Sequence, residues 1–161
     1  MKNKGFSLVE LIIVIAIMAI LAAAIAPALI RYIDKSRRSD DVAAGETINT
    51  ATQAALANED AYDEIQDFMP TTAGAATVVA TAPKDKPFIK GSGVTSGTMA
   101  TFLSEVNSSC GGNSPKLKYT KNKAAHWTIG VNDAGKPVVW LAKAPNGTDW
   151  EIQPTICKDY K

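Results

Sequence analysis

Residues 6–30 of the chain read FSLVELIIVIAIMAILAAAIAPALI. As an α-helix this run would be about 37 Å long, which is enough to cross the roughly 30 Å hydrocarbon core of a bilayer with some tilt. From Leu11 to Ile30 the run contains no charged and no polar side chain. The sequence therefore predicts a membrane-spanning helix and excludes an ordinary cytosolic protein.

Glu10 is the one residue that does not suit such a helix. A carboxylate inside a membrane span is costly unless it finds a partner, so a charge at this position predicts a functional role. The alternative is that Glu10 lies close enough to the lipid headgroups to stay hydrated.

A secretory signal peptide is a second interpretation of the same N-terminus. Lys2 and Lys4 precede the apolar run, and small residues offer an Ala-x-Ala cleavage site that ends at Ala24 or Ala26. Cleavage after Ala26 would leave Pro27 directly beyond the break, and a carboxylate would lie inside the apolar region. Both features count against this interpretation, but the residues alone leave it open.

The N-terminus also carries a resemblance to a known family. Residues 4–10 read KGFSLVE and precede the long apolar run, which has Pro27 near its end. This pattern resembles the class III signal of type IV pilins and of type II secretion pseudopilins. The resemblance implies that residues 1–5 are a leader, that a prepilin peptidase cuts between Gly5 and Phe6, and that the new Phe6 amine is N-methylated. It also implies that Glu10 pairs with the Phe6 amine of a neighbouring subunit, with residues 6–30 as transmembrane helix and later filament core.

The charges that follow the apolar run do not by themselves set the topology. Arg31, Lys35, Arg37 and Arg38 oppose the two leader lysines in a positive-inside count, although large domains translocate largely regardless of charge. The class III signal implies a single-pass precursor in the inner (cytoplasmic) membrane, with its N-terminus in the cytoplasm. The mature protein would then be part of an extracellular pilus.

The length of 161 residues suits one domain with an appendage. Residues 31–57 contain no helix breaker except Gly45, and they predict the amphipathic half of one helix that spans residues 6–57. Pro27 lacks an N–H and clashes with the preceding turn, so we expect a kink or local melting near Ala23–Pro27.

The remainder of the chain predicts short helices followed by a sheet. In residues 58–115, Asn58 would cap a short helix, residues 71–97 would form a surface loop region in which only 77–81 resemble a strand, and residues 98–107 would be helical. In residues 116–161 the apolar period changes to two, which predicts strands over 116–120, 125–131 and 137–142, with a short fourth over 150–152. The predicted fold is α+β, a lollipop in which the long N-terminal helix packs on a C-terminal antiparallel sheet.

The two cysteines of the chain, Cys110 and Cys157, both lie far from the apolar run. In an exported domain one disulfide is the default expectation. A disulfide that closes a loop of about 48 residues stabilises the folded state by about 4 kcal/mol. The resemblance points the same way, because many pilins have a disulfide-bounded C-terminal region.

Other candidate sites are weak. His126 is the single histidine and has no evident catalytic or metal-binding partners, so we expect no active site, metal or cofactor. Asn132 and Asp133 offer oxygen ligands to calcium, but a hairpin turn explains them more simply.

The balance of 17 basic and 16 acidic residues provides no basic field for duplex nucleic acid. Four lysines alternate with Tyr119 near Trp127, which suggests weak binding of single-stranded DNA through charge and stacking. A solvated sheet edge protected by lysines is the favoured explanation. The lysines are Lys116, Lys118, Lys121 and Lys123.

The sequence as a whole favours a structural subunit of a type IV pilus. The resemblance implies as partners further copies in a helical filament, the prepilin peptidase, the assembly platform protein, and the assembly and retraction ATPases. It implies adhesion, surface motility or DNA uptake as outputs. The alternatives are a major pseudopilin of a type II secretion system and, from another class, a signal-anchored or secreted binding module.

Overall fold

The computed structural model describes residue 5, residues 7–95 and residues 97–161. The chain divides into two compact units, one that ends at Ser36 and one that extends over Arg37–Lys161. Each unit is described below by itself.

The first helix, α1, extends over Leu8–Leu56 and contains Pro27 in its interior. The prediction of one long helix over 6–57 is confirmed to within two residues at either end. The segment Ala23–Pro27 is helical throughout, so the local melting expected there does not occur in the structure. A bend of the helix axis at Pro27 stays a prediction.

In the described part of the second unit, five strands form one antiparallel sheet. The strand order across the sheet is β2-β1-β3-β4-β5, and a bulge interrupts the β1–β3 register between Val78 and Ala80. The predicted α+β class, with a long N-terminal helix and an antiparallel sheet, is confirmed. The strands are β1 (Ala76–Pro83), β2 (Ile89–Lys90), β3 (His126–Asn132), β4 (Pro137–Ala142) and β5 (Trp150–Gln153).

The prediction that residues 71–97 form a surface loop region is wrong in part, because β1 lies in the interior of the sheet. Residues 79–82 are buried, and β1 pairs along its whole length with β3. The sheet therefore begins well before residue 116. The strand-like residues 77–81 lie within β1, but its many threonines and alanines gave too weak an apolar signal to predict a buried, interior strand.

The predicted strand over 116–120 does not form. The backbone N–H groups of Lys118 and Tyr119 donate to the carboxylate of Asp41 on α1 instead of to a neighbouring strand. The alternation of lysine with apolar residues in this segment therefore reflects an extended connection that is held by a side chain.

The residues that the structure describes in the second unit also form two further α-helices and a final 3-10 helix: α2 (Glu59–Gln66), α3 (Ala100–Ser109) and Lys158–Tyr160. The side chain of Asn58 caps α2 as predicted, with Oδ1 accepting from the N–H of Asp60 at 3.0 Å and of Ala61 at 3.4 Å. The expected helix over 98–107 is α3, shifted by two residues.

The core of the second unit lies between the C-terminal half of α1, the sheet and α3. Ile48 and Ala55 of α1, Trp127 and Ile129 of β3, and Phe102 of α3 are fully buried. Full burial of a large apolar side chain contributes about 1.5–3 kcal/mol. Trp127 also satisfies its indole N–H, which donates to the Pro115 carbonyl at 2.9 Å.

Candidate processing and assembly segment

The N-terminal end of α1 contains the predicted cleavage and assembly residues. Gly5 is exposed, with no heavy atom within 4 Å of the position that a Cβ would occupy. Glu10 lies in the first turn of α1, and its Oε2 accepts the backbone N–H of Ser7 at 2.9 Å. Phe6, the predicted site of methylation, lies outside the described residues.

The bond from Ser7 to Glu10 satisfies a backbone donor at the start of the helix. The first N–H groups of a helix have no partner within it, and a glutamate three residues after a serine can reach back to the serine N–H. The sequence Ser-Leu-Val-Glu at residues 7–10 contains this capping pattern, which we did not predict. Glu10 thus has a local partner in a segment that is otherwise apolar.

The apolar surface of the first unit is uncovered. Every large apolar side chain from Leu8 to Ile30 is at least 48% exposed. Among the described residues, α1 is the one helix long and apolar enough to cross a membrane, and its most apolar window has no buried residue. Such a surface needs lipid or other apolar helices around it.

Asp41, in the second unit, is a buried carboxylate that our sequence analysis missed. It is 0% exposed, and burial raises its pKa although its backbone hydrogen bonds from Lys118 and Tyr119 act in the opposite direction. Asp41 precedes Ile48 by seven residues and therefore lies on the same helix face. This spacing from a predicted core residue could have shown that Asp41 is buried.

The turn residues Asn132 and Asp133 show the hydrogen bonding of a hairpin turn. Asn132 Oδ1 accepts the N–H groups of Ala134 at 3.0 Å and Lys136 at 2.8 Å, while Asp133 is exposed. Asn132 Oδ1 is therefore engaged with the backbone of the turn. His126 is half-buried at the start of β3, and its Nδ1 is buried without a hydrogen-bond partner in the described part of the chain.

The lysines considered for single-stranded DNA are partly neutralised. Lys116 pairs with Asp85 at 3.5 Å, and Lys118 pairs with Asp40 at 3.4 Å. Trp127 is 0% exposed, so it offers no surface on which a base could stack. The proposed stacking role of Trp127 was therefore wrong.

Cys110 and Cys157 are free thiols in the structure, and both are half-buried against the core. Cys110 follows α3, and Cys157 precedes the final 3-10 helix. Burial raises the pKa of the Cys110 thiol, which lowers its reactivity. The disulfide stays a prediction for the exported protein. It is checked by whether iodoacetamide adds mass before reduction or only after it.

Comparisons with known proteins bear on the same segment and on the whole chain. The family model of the prokaryotic N-terminal methylation motif matches residues 1–26. Fimbrial protein Q of Moraxella bovis is 30% identical over 98% of this chain and 98% of its own. The chain belongs to the type IV pilin family.

Other relatives of this pilin agree with that assignment. A type IV major pilin of Neisseria gonorrhoeae is 32% identical over 98% of the chain and 94% of its own. The type IV major alpha-pilin of Moraxella bovis is 55% identical over 34% of either chain. No solved structure matches the pilin. These relatives support a pilus structural subunit and give no support to the pseudopilin or the secreted binding module.

Proposed function

We propose that this pilin is made as a single-pass precursor with its N-terminus in the cytoplasm, and that a prepilin peptidase then cuts it between Gly5 and Phe6. Methylation of the Phe6 amine and polymerisation through residues 6–30 give an extracellular fibre. The observation that carries the proposal is the uncovered apolar helix with a single carboxylate, Glu10, in its first turn.

Assembly exchanges one apolar environment for another. In the membrane, lipid covers the side chains of Leu8–Ile30. In the fibre, the same segments of neighbouring copies cover them, and each Å² of apolar surface that stays out of water contributes about 25 cal/mol.

Glu10 sets the register of that packing. The bond to Ser7 uses Oε2, and a carboxylate can accept several hydrogen bonds, so Glu10 can also accept the Phe6 amine of a neighbour. An unpaired charge is expensive at low dielectric, and misaligned helices would leave both groups unpaired.

The role is structural rather than catalytic, in line with relatives that are named as fimbrial protein and as pilins. The assembly platform protein and the assembly and retraction ATPases act on the fibre. Adhesion, surface motility or DNA uptake is its output.

Mass spectrometry of protein sheared from intact cells tests the processing. We expect an N-terminal peptide that begins at Phe6 and is heavier by one methyl group. A peptide that begins near Ile25 or Pro27 would show removal of a secretory signal and would overturn the proposal.

A pair of variants tests the role of Glu10. Glu10→Leu should insert in the membrane at the normal level but yield little sheared fibre. Ser7→Ala is the matched control, since it keeps the backbone N–H that Glu10 accepts, and it should assemble normally. Normal fibre from Glu10→Leu would contradict the pairing.

A further inference from the structure

The second unit carries an acidic surface on α2. Residues 57–83 contain five carboxylates and no lysine or arginine. Glu64 binds the start of α3, with Oε1 accepting from Thr101 N–H and Oε2 from Phe102 N–H. The other four are exposed, and none forms an ion pair with another described residue. We call them the acidic surface: Glu59, Asp60, Asp63 and Asp67.

The acidic surface lies at one end of the sheet. The segment that follows α2 reaches the turn between β3 and β4, where Met69 Sδ is 3.8 Å from the position that a Cβ on Gly135 would occupy. The strands β1, β3 and β4 extend away from this end for six to eight residues, which is about 20–25 Å.

A group of exposed lysines lies at the opposite end of the same strands. Lys84 follows β1, and its N–H donates to the Ala125 carbonyl just before β3. Lys143 follows β4, and its Nζ is 5.2 Å from the ring centroid of Trp150 at the start of β5. Two more exposed lysines precede β3 and begin the final 3-10 helix. We call these four the basic surface: Lys84, Lys123, Lys143 and Lys158.

The carboxylates at the basic end are already engaged with neighbouring groups. Asp85 pairs with Lys116, and Asp149 Oδ2 accepts the N–H of Lys143 at 2.9 Å. Asp159 Oδ2 accepts the indole N–H of Trp150 at 3.0 Å. The donors to Asp149 and Asp159 are neutral, so these two carboxylates keep their charge, and the four lysines outnumber them two to one at this end. At the other end Asp133 and Lys136 of the β3–β4 turn are both exposed and offset each other in charge, so the four carboxylates of α2 are in excess there.

We propose that in the fibre the acidic surface of one subunit faces the basic surface of a second copy. The two surfaces lie on opposite ends of one body, so their contact is heterologous and repeats from copy to copy without closing. Opposite charges attract in this arrangement, while contacts between two like ends repel, which gives the subunits a polarity. The inference rests on the proposed fibre and names the contact between its second units.

Carbodiimide cross-linking of sheared wild-type fibres tests the contact directly, because this reagent joins a carboxylate to a lysine amine that it touches. Fibres grown from a mixture of 14N- and 15N-labelled subunits separate links between copies from links within one copy. We expect mixed-label peptides that join residues 59–67 to Lys84, Lys123, Lys143 or Lys158. Mixed-label links at other positions only would overturn the inference.

Charge reversal gives a second test. Asp63→Lys with Asp67→Lys places cations towards the C-terminal end of α2, where the helix dipole favours them, so α2 should still fold. We expect a several-fold loss of sheared fibre at unchanged cellular pilin, and recovery when Lys123→Glu and Lys158→Glu are added. Asp63→Glu with Asp67→Glu keeps the charge and should assemble normally.

The outcomes separate this inference from the proposed function. Fibres whose N-terminal peptide begins at methylated Phe6, but which lack cross-links between the two surfaces, would overturn the inference alone. An N-terminus near Ile25 or Pro27 would overturn the fibre itself. Unchanged fibre from the reversed α2 variant, or no recovery in the fourfold variant, would also contradict the contact.

Discussion

Asp41 accepts the backbone N–H of Lys118, with 2.7 Å between Oδ1 and the nitrogen. Its second oxygen accepts the N–H of Tyr119 at 3.0 Å, and the residue is 0% exposed. One side chain of α1 thus holds the extended segment that leads into β3. A buried carboxylate is tolerated here because it takes the place of a neighbouring strand for two backbone donors.

Replacing Asp41 should destabilise the second unit. Asp41→Asn turns one of the two acceptors into a donor, which faces a backbone N–H and leaves it unsatisfied, at a cost of about 1–3 kcal/mol. Chemical unfolding of the detergent-solubilised full chain, followed by the tryptophan fluorescence to which the buried Trp127 contributes, measures the change. Asp40→Asn is the matched control, because its ion pair with Lys118 is surface-exposed and contributes about 0–1 kcal/mol. Equal losses from the two variants would contradict the role of Asp41.

Asp41 should also give stability a characteristic pH dependence. Burial raises its pKa above the ordinary value of 3.8, although the hydrogen bonds from Lys118 and Tyr119 lower it. The folded protein therefore holds the Asp41 proton more tightly than the unfolded chain does. The resulting stabilisation is fully present below the pKa that Asp41 has in the unfolded chain. It is lost as the pH rises through the pKa that Asp41 has in the folded protein. The difference in unfolding free energy between wild type and Asp41→Asn should shrink as the pH rises, whereas a difference that grows would contradict the shift.

The sequence predicted the helices of this pilin better than its strands. The long helix, the Asn58 cap and the helix near residue 100 follow from local signals: apolar spacing, a capping side chain and the absence of breakers. Such signals depend on neighbours a few residues apart, so they can be recognised without the tertiary structure.

The strand errors have a tertiary cause. Residues 116–120 alternate like a strand, but their N–H groups reach Asp41 from 77 and 78 residues away. β1 consists mainly of alanine, threonine and valine, and its position between β2 and β3 depends on pairing with residues about 50 positions later. The capping bond of Ser7 to Glu10 is local, and the Ser-x-x-Glu pattern could have predicted it.

Glu64 joins α2 to α3 and should contribute to stability with the opposite pH dependence. Although burial would raise its pKa, the hydrogen bonds from Phe102 and Thr101 outweigh that effect and hold the pKa below the ordinary value of 4.5. The stabilisation by Glu64 is present above the pKa that this carboxyl has in the unfolded chain. It is lost as the pH falls through the pKa that the carboxyl has in the folded protein. Since Met99, at the N-cap of α3, provides no side-chain hydrogen bond, Glu64 acts as the cap from another helix.

Glu64→Ala should therefore cost about 0.5–2 kcal/mol at neutral pH, as the loss of a helix cap does, and less in acid. Asp63→Ala is the neighbouring control, since its Oδ1 accepts only a local bond from Gln66 among the bonds described. Urea unfolding at several pH values measures the loss of unfolding free energy in both variants. A cost for Glu64→Ala that increases in acid would contradict the capping role.

Gly45 sets how closely α1 approaches the sheet. A Cβ at this position would lie 2.5 Å from Cγ2 of Ile152 on β5, closer than real contacts allow. In an exposed helix, Gly→Ala stabilises by about 1 kcal/mol, but overpacking of a core costs about 1–3 kcal/mol. Because Gly45 is buried, we expect the clash to dominate and Gly45→Ala to destabilise the second unit.

The cost of Gly45→Ala should fall when the clashing side chain is shortened. In an Ile152→Ala background the γ-methyl group is absent and the nearest remaining atom of residue 152 is its Cβ, 3.3 Å from the added Cβ, so the added alanine should cost less and recover helix propensity. Unfolding of the four members of this double-mutant cycle measures the coupling between the two sites. If Gly45→Ala is equally destabilising in both backgrounds, the close approach of Ile152 does not explain why the helix contains a glycine there.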